Sequence, residues 1–168
     1  ERLFPHPGEA NPPPFMKGTG DEAQPIVATP DPQAHVIADV FKIINDPFVG
    51  KLGIFRVYQG TVKKDTQLFV DDGKKAFKVA HLFKLKGKDH VEIEDAIPGD
   101  IAGVAKIDEI HFDAVLHDSH DEDQIHLKPM DVPRPMFGLA IEPLHKGQEQ
   151  KLATALHKLH EEDPCFRT

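Results

Sequence analysis

Over residues 34–41 the chain takes on a two-residue period. Val36, Ala38 and Val40 share one parity, and Ile37, Asp39 and Phe41 share the other. That alternation predicts a strand, because successive side chains of extended backbone point to opposite faces. A second run, Lys51 to Gln59, carries Leu52, Ile54, Val57 and Tyr58 among polar residues and a lone Arg56. Asn45-Asp46-Pro47 separates the two runs and is a strong turn signal, so the pair reads as a hairpin. Gly60 breaks the second run, and Thr61-Val62 opens another element. Gln67 to Val70 predicts a third strand, closed by Asp72-Gly73. Phe77 to Leu85 reads as a fourth, Val91 to Ile93 as a short one, Ile101 to Ile107 as another and Val115-Leu116 as the last. Many short strands separated by turns predict a mainly β chain, closed into a six- to seven-stranded antiparallel barrel. Closure leaves no exposed strand edge.

The flanks lack this period. Residues 1–33 hold Pro5, Pro7, Pro12, Pro13, Pro14, Pro25, Pro30 and Pro32. Proline fixes φ and removes a donor, so an extended connector with little regular structure is expected there. A second polar connector runs from Asp118 to Pro133-Arg134-Pro135. Beyond it Met136 to Ile141 reads as a strand and Gln148 to Glu162 as a helix. Leu152, Leu156 and Leu159 lie on one helix face, and Asp163-Pro164 ends it. The expected organisation is a connector over 1–33, a barrel over 34–121, a linker over 122–135 and a strand–helix unit over 136–168.

Composition narrows the function classes. The chain has 168 residues, 39% hydrophobic and 29% charged, as a soluble globular protein does. No apolar run approaches the roughly 20 residues of a membrane helix, and Glu1-Arg2-Leu3-Phe4-Pro5 does not open a signal peptide. A lone Cys165 cannot form an internal disulfide, which favours a reducing, cytoplasmic setting. The net charge of −8 argues against bulk attraction to nucleic acid, and DNA is not an expected partner. The charge is nevertheless segregated. Lys74, Lys75, Lys78, Lys84, Lys86 and Lys88 cluster, while acids concentrate over Asp118 to Asp123. The chain opens on Glu1 and closes on Thr168 just after the helix, so both ends read as boundaries within a longer protein.

No Gly-x-x-x-x-Gly-Lys-Ser/Thr and no Asn-Lys-x-Asp occurs. The first would cradle nucleotide phosphates, so nucleotide hydrolysis is not expected of this stretch, nor any cofactor. His117, His120 and His126 sit among Asp118, Asp121, Glu122 and Asp123, which invites a metal reading, but no fixed ligand spacing is matched. A solvated connector explains them better. His157 and His160 share a helix face without the zincin pattern and read as surface residues. A metal-dependent hydrolase using His117, His120 and His157 is therefore the weakest alternative. Cys165 lacks a partner base and reads as inert. Lys84-Leu85-Lys86-Gly87-Lys88 is the most credible binding feature, a strand end and loop able to meet phosphates without reading sequence. Phe41, Phe48, Phe55, Tyr58, Phe69, Phe77 and Phe83 could stack bases, but most read as core.

The wording Phe41–Val62, with Asp-Pro-Phe-Val-Gly and Phe-Arg-Val-Tyr-x-Gly, resembles the second domain of elongation factor G, a ribosomal translocation GTPase. Pro98-Gly99-Asp100-Ile101-Ala102 is similar to the family's Ala-Gly-Asp-Ile-Ala turn. Ala140-Ile141-Glu142-Pro143, Glu149-Gln150-Lys151-Leu152 and Glu162-Asp163-Pro164-Cys165-Phe166-Arg167 resemble the start of its third domain. The resemblance runs from about Ala34 to the end. It implies a translation-factor barrel followed by the first strand and helix of an incomplete ferredoxin-like domain. It also implies a GTPase parent that uses GTP and Mg2+, an intramolecular GTPase domain as partner, and contact with small-subunit ribosomal RNA. On that basis Arg56, Lys63, Lys64, Lys84, Lys86 and Lys88 are the candidate RNA-binding residues. Lys63-Lys64-Asp65-Thr66 and Ile110–Leu116 depart from the family wording, so a divergent paralogue fits as well. A ribosomal protection protein or a release factor GTPase is the alternative within the superfamily.

Overall fold

The computed structural model describes residues 9, 11–18, 20–87, 89–119 and 124–168. The chain divides into two compact units, Glu1–Lys128 and Pro129–Thr168. Strands of the first unit are β1 (Phe15–Lys17), β2 (Gln24–Ile26), β3 (Ile37–Asp46), β4 (Gly50–Gln59), β5 (Val62–Lys63), β6 (Gln67–Val70), β7 (Phe77–Lys78), β8 (Leu82–Lys86), β9 (Asp89–Glu92), β10 (Asp95–Ala96), β11 (Ile101–Ala105), β12 (Ala114–His117) and β13 (Ile125–Leu127).

β3 and β4, ten residues each, form the hairpin that the alternation predicts. Asp46 makes its turn. Its Oδ1 accepts from the Phe48 N–H at 2.7 Å and the Val49 N–H at 2.8 Å, the local bonding that favours Asp in turns. Those backbone bonds hold the Asp46 carboxyl below its usual range. The hairpin sits at the middle of an eight-stranded antiparallel sheet ordered β7-β6-β12-β3-β4-β11-β8-β9. Register shifts at Ile37/Ala38 and Val40/Lys42 interrupt the β3–β4 ladder, and such bulges bend a sheet. The curled inner face encloses the main core, which includes Val40, Phe55, Val57, Leu68, Leu82, Val104 and Leu116.

The expected closed six- to seven-stranded barrel is corrected here. The sheet is a curled half-barrel of eight strands, and its end strands β7 and β9 share no ladder among the described residues. β5 and β10 form a separate two-stranded ribbon. The physical reason lies in the run expected as one strand over Phe77 to Leu85, which breaks after Lys78. There single backbone bonds replace ladders: Val79 N–H to Thr66 O at 2.9 Å and Ile93 N–H to Leu82 O at 2.9 Å.

The Pro-rich segment also holds more structure than its composition suggests. β1 pairs with β2 and with β13, giving a small sheet ordered β13-β1-β2. Phe15, Ile125 and Leu127 from it are buried with Ile37 and Val115 of the large sheet. Pro25 is tolerated because β2 is an edge strand, where the missing N–H faces no partner. Three-residue strands are too short to announce themselves by period.

In the second unit, residues 136–141 are not a strand, because no ladder partner pairs with them. Met136, Phe137 and Leu139 are exposed. The helix predicted over Gln148–Glu162 is present as α1 (Glu149–Glu162), with no buried residue of its own. No helix among the described residues is long and apolar enough to cross a membrane.

Gly60 ties the end of β4 to the segment before β3. It has φ 72, and a Cβ there would meet Val36 Cα at 2.6 Å and Ala34 O at 2.7 Å. Gly50, at φ 84, has open space around it. Gly60→Ala should therefore destabilise the chain by about 3 kcal/mol or more in urea denaturation, against about 1 kcal/mol for Gly50→Ala. Equal costs would contradict this reading of the corner.

Candidate functional site

Among the described residues, Arg56 lies on β4, Lys63 on β5 of the separate ribbon, Lys64 just after it, and Lys84 and Lys86 on β8, and acids stand near them. Lys84 on β8 has Nζ 3.9 Å from Asp100 Oδ1. Lys86 stands opposite Asp89 in the β8–β9 ladder. Lys63 stands opposite Asp95 on β10. Lys64 Nζ donates to Glu92 Oε1 at 2.9 Å, and His81 Nδ1 lies 3.3 Å from the same oxygen. The Lys64 hydrogen bond is the main reason the Glu92 carboxyl sits below its usual range, and the Lys64 ammonium is raised in turn. Lys78 pairs with Asp65 at 2.8 Å. Lys88 lies outside the described residues.

Of these, Lys64–Glu92, Lys78–Asp65 and Lys84–Asp100 are exposed or half-exposed ion pairs, of a kind that contributes little in water, while Lys63 and Lys86 are only register neighbours of their acids. Such a surface is weakly self-neutralised. A polyanion presenting several phosphates can exchange the carboxylates at little cost per pair, whereas a single anion gains little. Lys84 and Lys86 leave β8 two residues apart, on the same side of the strand. Their neighbourhood reaches β4 through β11: the Val57 N–H donates to Asp100 O at 3.0 Å, and Ile101 is opposite Arg56.

Arg56 differs from the lysines. It is partly buried on β4, its guanidinium 5.5 Å from the Tyr58 ring centroid. Its Nε is buried without a hydrogen-bond partner. Directly opposite on β3 is Asp39, 8% exposed, whose Oδ1 is likewise buried and unpartnered. Burial, and secondarily the negative charges of Asp113 and Asp71, push the Asp39 carboxyl up to about 7. Asp71 and Asp113 are themselves raised, chiefly by burial. Sequence reasoning singled out Arg56 and missed Asp39. The available signal was a carboxylate set inside the apolar run Val36-Ile37-Ala38-Asp39-Val40.

His117 corrects the solvated-connector reading. It is 1% exposed, with Nδ1 3.0 Å from Ser119 Oγ and Nε2 2.8 Å from Asp71 O. With both ring nitrogens committed, it is a structural histidine rather than an open ligand. His126 lies 3.7 Å from Asp72, and His120 lies outside the described residues. Among the described residues no cluster of three metal-ligating side chains occurs. In the second unit His157 faces Glu161 at 3.8 Å, His160 lies 2.6 Å from Phe166 O, and the Cys165 N–H donates to Asp163 Oδ1. Of the aromatic residues, Phe55 and Phe77 are core. Phe48 is 94% exposed at the hairpin tip, and Phe83, half-buried against Leu52, Ile54 and Ala105, stacks with His81 at 6.0 Å between centroids.

Two family models match the curled antiparallel sheet and the unit that follows it. Residues 35–116 match elongation factor G domain 2, and residues 132–168 match elongation factor G domain III. A crystal structure of a protein from Thermus thermophilus is similar to 79% of this chain, at 32% identity and a TM-score of 0.65. The chain spans 20% of that protein's length. The chain belongs to the elongation factor G family, of which it carries the second domain and the start of the third.

The buried Asp39 carboxyl gives a stability prediction. Its folded value lies above the ordinary 3.8, so the folded state holds a proton that the unfolded state has lost. This contribution is complete below about pH 4 and is lost as pH rises to about 7, at no more than about 1.4 kcal/mol per pH unit. Between about pH 5 and pH 7.5, Asp39→Asn should therefore gain about 1–3 kcal/mol of stability relative to the natural chain. Denaturation curves that run parallel over this window would contradict the assignment.

Proposed function

We propose that this chain is the non-catalytic middle of an elongation factor G-type translational GTPase. It docks on the small ribosomal subunit and relays the GTP or GDP state of the GTPase domain during translocation. The observation that carries this reading is the order of the two matches: domain 2 over residues 35–116, followed directly by domain III over residues 132–168. A protein with both in that order couples a nucleotide-dependent domain to the ribosome. The parent uses GTP and Mg2+ and works in the cytoplasm, while this stretch contributes surface and rigidity. Its barrel-type sheet supplies the rigidity, since the strands on either side of the central hairpin, β11 and β12, are held to it by continuous ladders.

RNA contact falls to Arg56, Lys63, Lys64, Lys84, Lys86 and Lys88, through phosphates rather than base edges. The exposed ion pairs of Lys64 and Lys84 support this role, because each of these lysines can trade a carboxylate for a phosphate. The net charge of −8 makes the attraction local and strongly salt-dependent.

Co-sedimentation of the chain with small ribosomal subunits tests the reading. The chain should pellet with the subunits at low salt. Lys84→Gln with Lys86→Gln should weaken binding about tenfold and lower the salt slope by about 1.5. Pelleting at the level of an unrelated acidic protein would overturn the docking role.

A further inference from the structure

Arg56 and Asp39 are directly opposed across the β3–β4 ladder. Side chains so placed have Cβ atoms about 4.5–5.5 Å apart, within reach of an ion pair. Instead the guanidinium lies over Tyr58, 5.5 Å from the ring centroid. Asp39 Oδ1 and Arg56 Nε are both left buried and unpartnered. An unmet acceptor and an unmet charged donor, facing each other, make this arrangement costly, and a side-chain rotation that joins them relieves both.

We propose that Asp39 governs whether Arg56 is available to an RNA phosphate. Ionised, Asp39 draws the guanidinium across the ladder into a charge-assisted pair. Protonated, it leaves Arg56 over Tyr58, half-buried and beside the exposed Ile101 of β11, where a phosphate can meet it. The inference rests on the docking role proposed above and names the regulation of that same surface.

The surroundings of Asp39 set the balance. From β4 come Arg56 and Tyr58, and from the segment before β12 comes Asp113. Asp71, after β6, completes the carboxylates, with His111 Nε2 3.3 Å from its Oδ2 and His117 bonded to its carbonyl. From the small sheet, His126 is engaged near Asp72. Burial and the two acidic neighbours already favour the protonated acid near neutral pH. A phosphate held by Arg56 adds further negative charge, so binding takes up a proton. By linkage, a lower pH then tightens binding.

Two readouts test this. The first follows the Arg56 Nε–H resonance of the isotope-labelled chain as pH is varied. It should move with a midpoint near about pH 7 and stay fixed in Asp39→Asn. The second is fluorescence anisotropy of a labelled RNA hairpin at low salt. Affinity should fall about three- to tenfold between about pH 6 and pH 8 for the natural chain. It should stay high and flat in Asp39→Asn, and low and flat in Arg56→Gln. An Nε–H resonance that does not titrate overturns the proposal, as does an RNA pH profile shared by the natural chain and Asp39→Asn. If Asp39→Asn does not fold, the titration of the natural chain decides alone. Binding that is independent of pH overturns the proposal and leaves the docking role standing. Absence of binding at every pH, with Arg56 still titrating, overturns the docking role and with it the phosphate step.

Discussion

The register of the β3–β4 hairpin is the constraint on which the rest depends. Asp46 fixes it by accepting two backbone N–H groups in the turn. The central ladders, β12 on β3 and β11 on β4, are built outward from these two strands. Side chains alternate with a period of two, so a slip of one residue would exchange the faces. Val40, Phe55 and Val57 would leave the core, and Asp39, Arg56 and Tyr58 would enter it. A carboxylate and a guanidinium in the curled interior would leave both charges uncompensated at high cost. The turn chemistry and the burial pattern thus select the same pairing.

The charged side chains fall into two environments. On the β8 side, lysines and acids alternate in exposed pairs that cost little to break. At the β3–β4 centre, by contrast, Asp39 is buried, next to Val115 in the β12–β3 ladder. The same sequence therefore presents two kinds of charge. One kind is hydrated and exchangeable, suited to holding a polyanion. The other is buried and responsive to protons, suited to modulating that hold.

Much of this was legible in the sequence because the determinants are local. The hairpin follows from alternation around Asn45-Asp46-Pro47, and α1 follows from Leu152, Leu156 and Leu159. The elongation factor G wording sits in those same local stretches, and the family matches fall on them. What stayed hidden is long-range. β1, β2 and β13 have three residues each, and their pairing joins residues 15–17 to 125–127. Closure followed from the number of strands alone, yet it depends on edge pairing that β7 and β9 do not make. The Lys75–Glu109 pair spans 34 positions, so the lysine cluster looked more cationic in sequence than it is in space. His117 reads as polar linker until the fold brings the Asp71 carbonyl to it. Phe48 reads as core by composition but stands exposed, because the Asp46 turn places it at a tip.

Lysine-acetylation footprinting by mass spectrometry, with and without small ribosomal subunits, tests most directly that this surface is the docking face of a non-catalytic module. Lys63, Lys64, Lys84 and Lys86 should lose reactivity on binding, while Lys51 and Lys106, at the far ends of β4 and β11, keep theirs. Uniform protection, or protection confined to Lys51 and Lys106, would contradict the account.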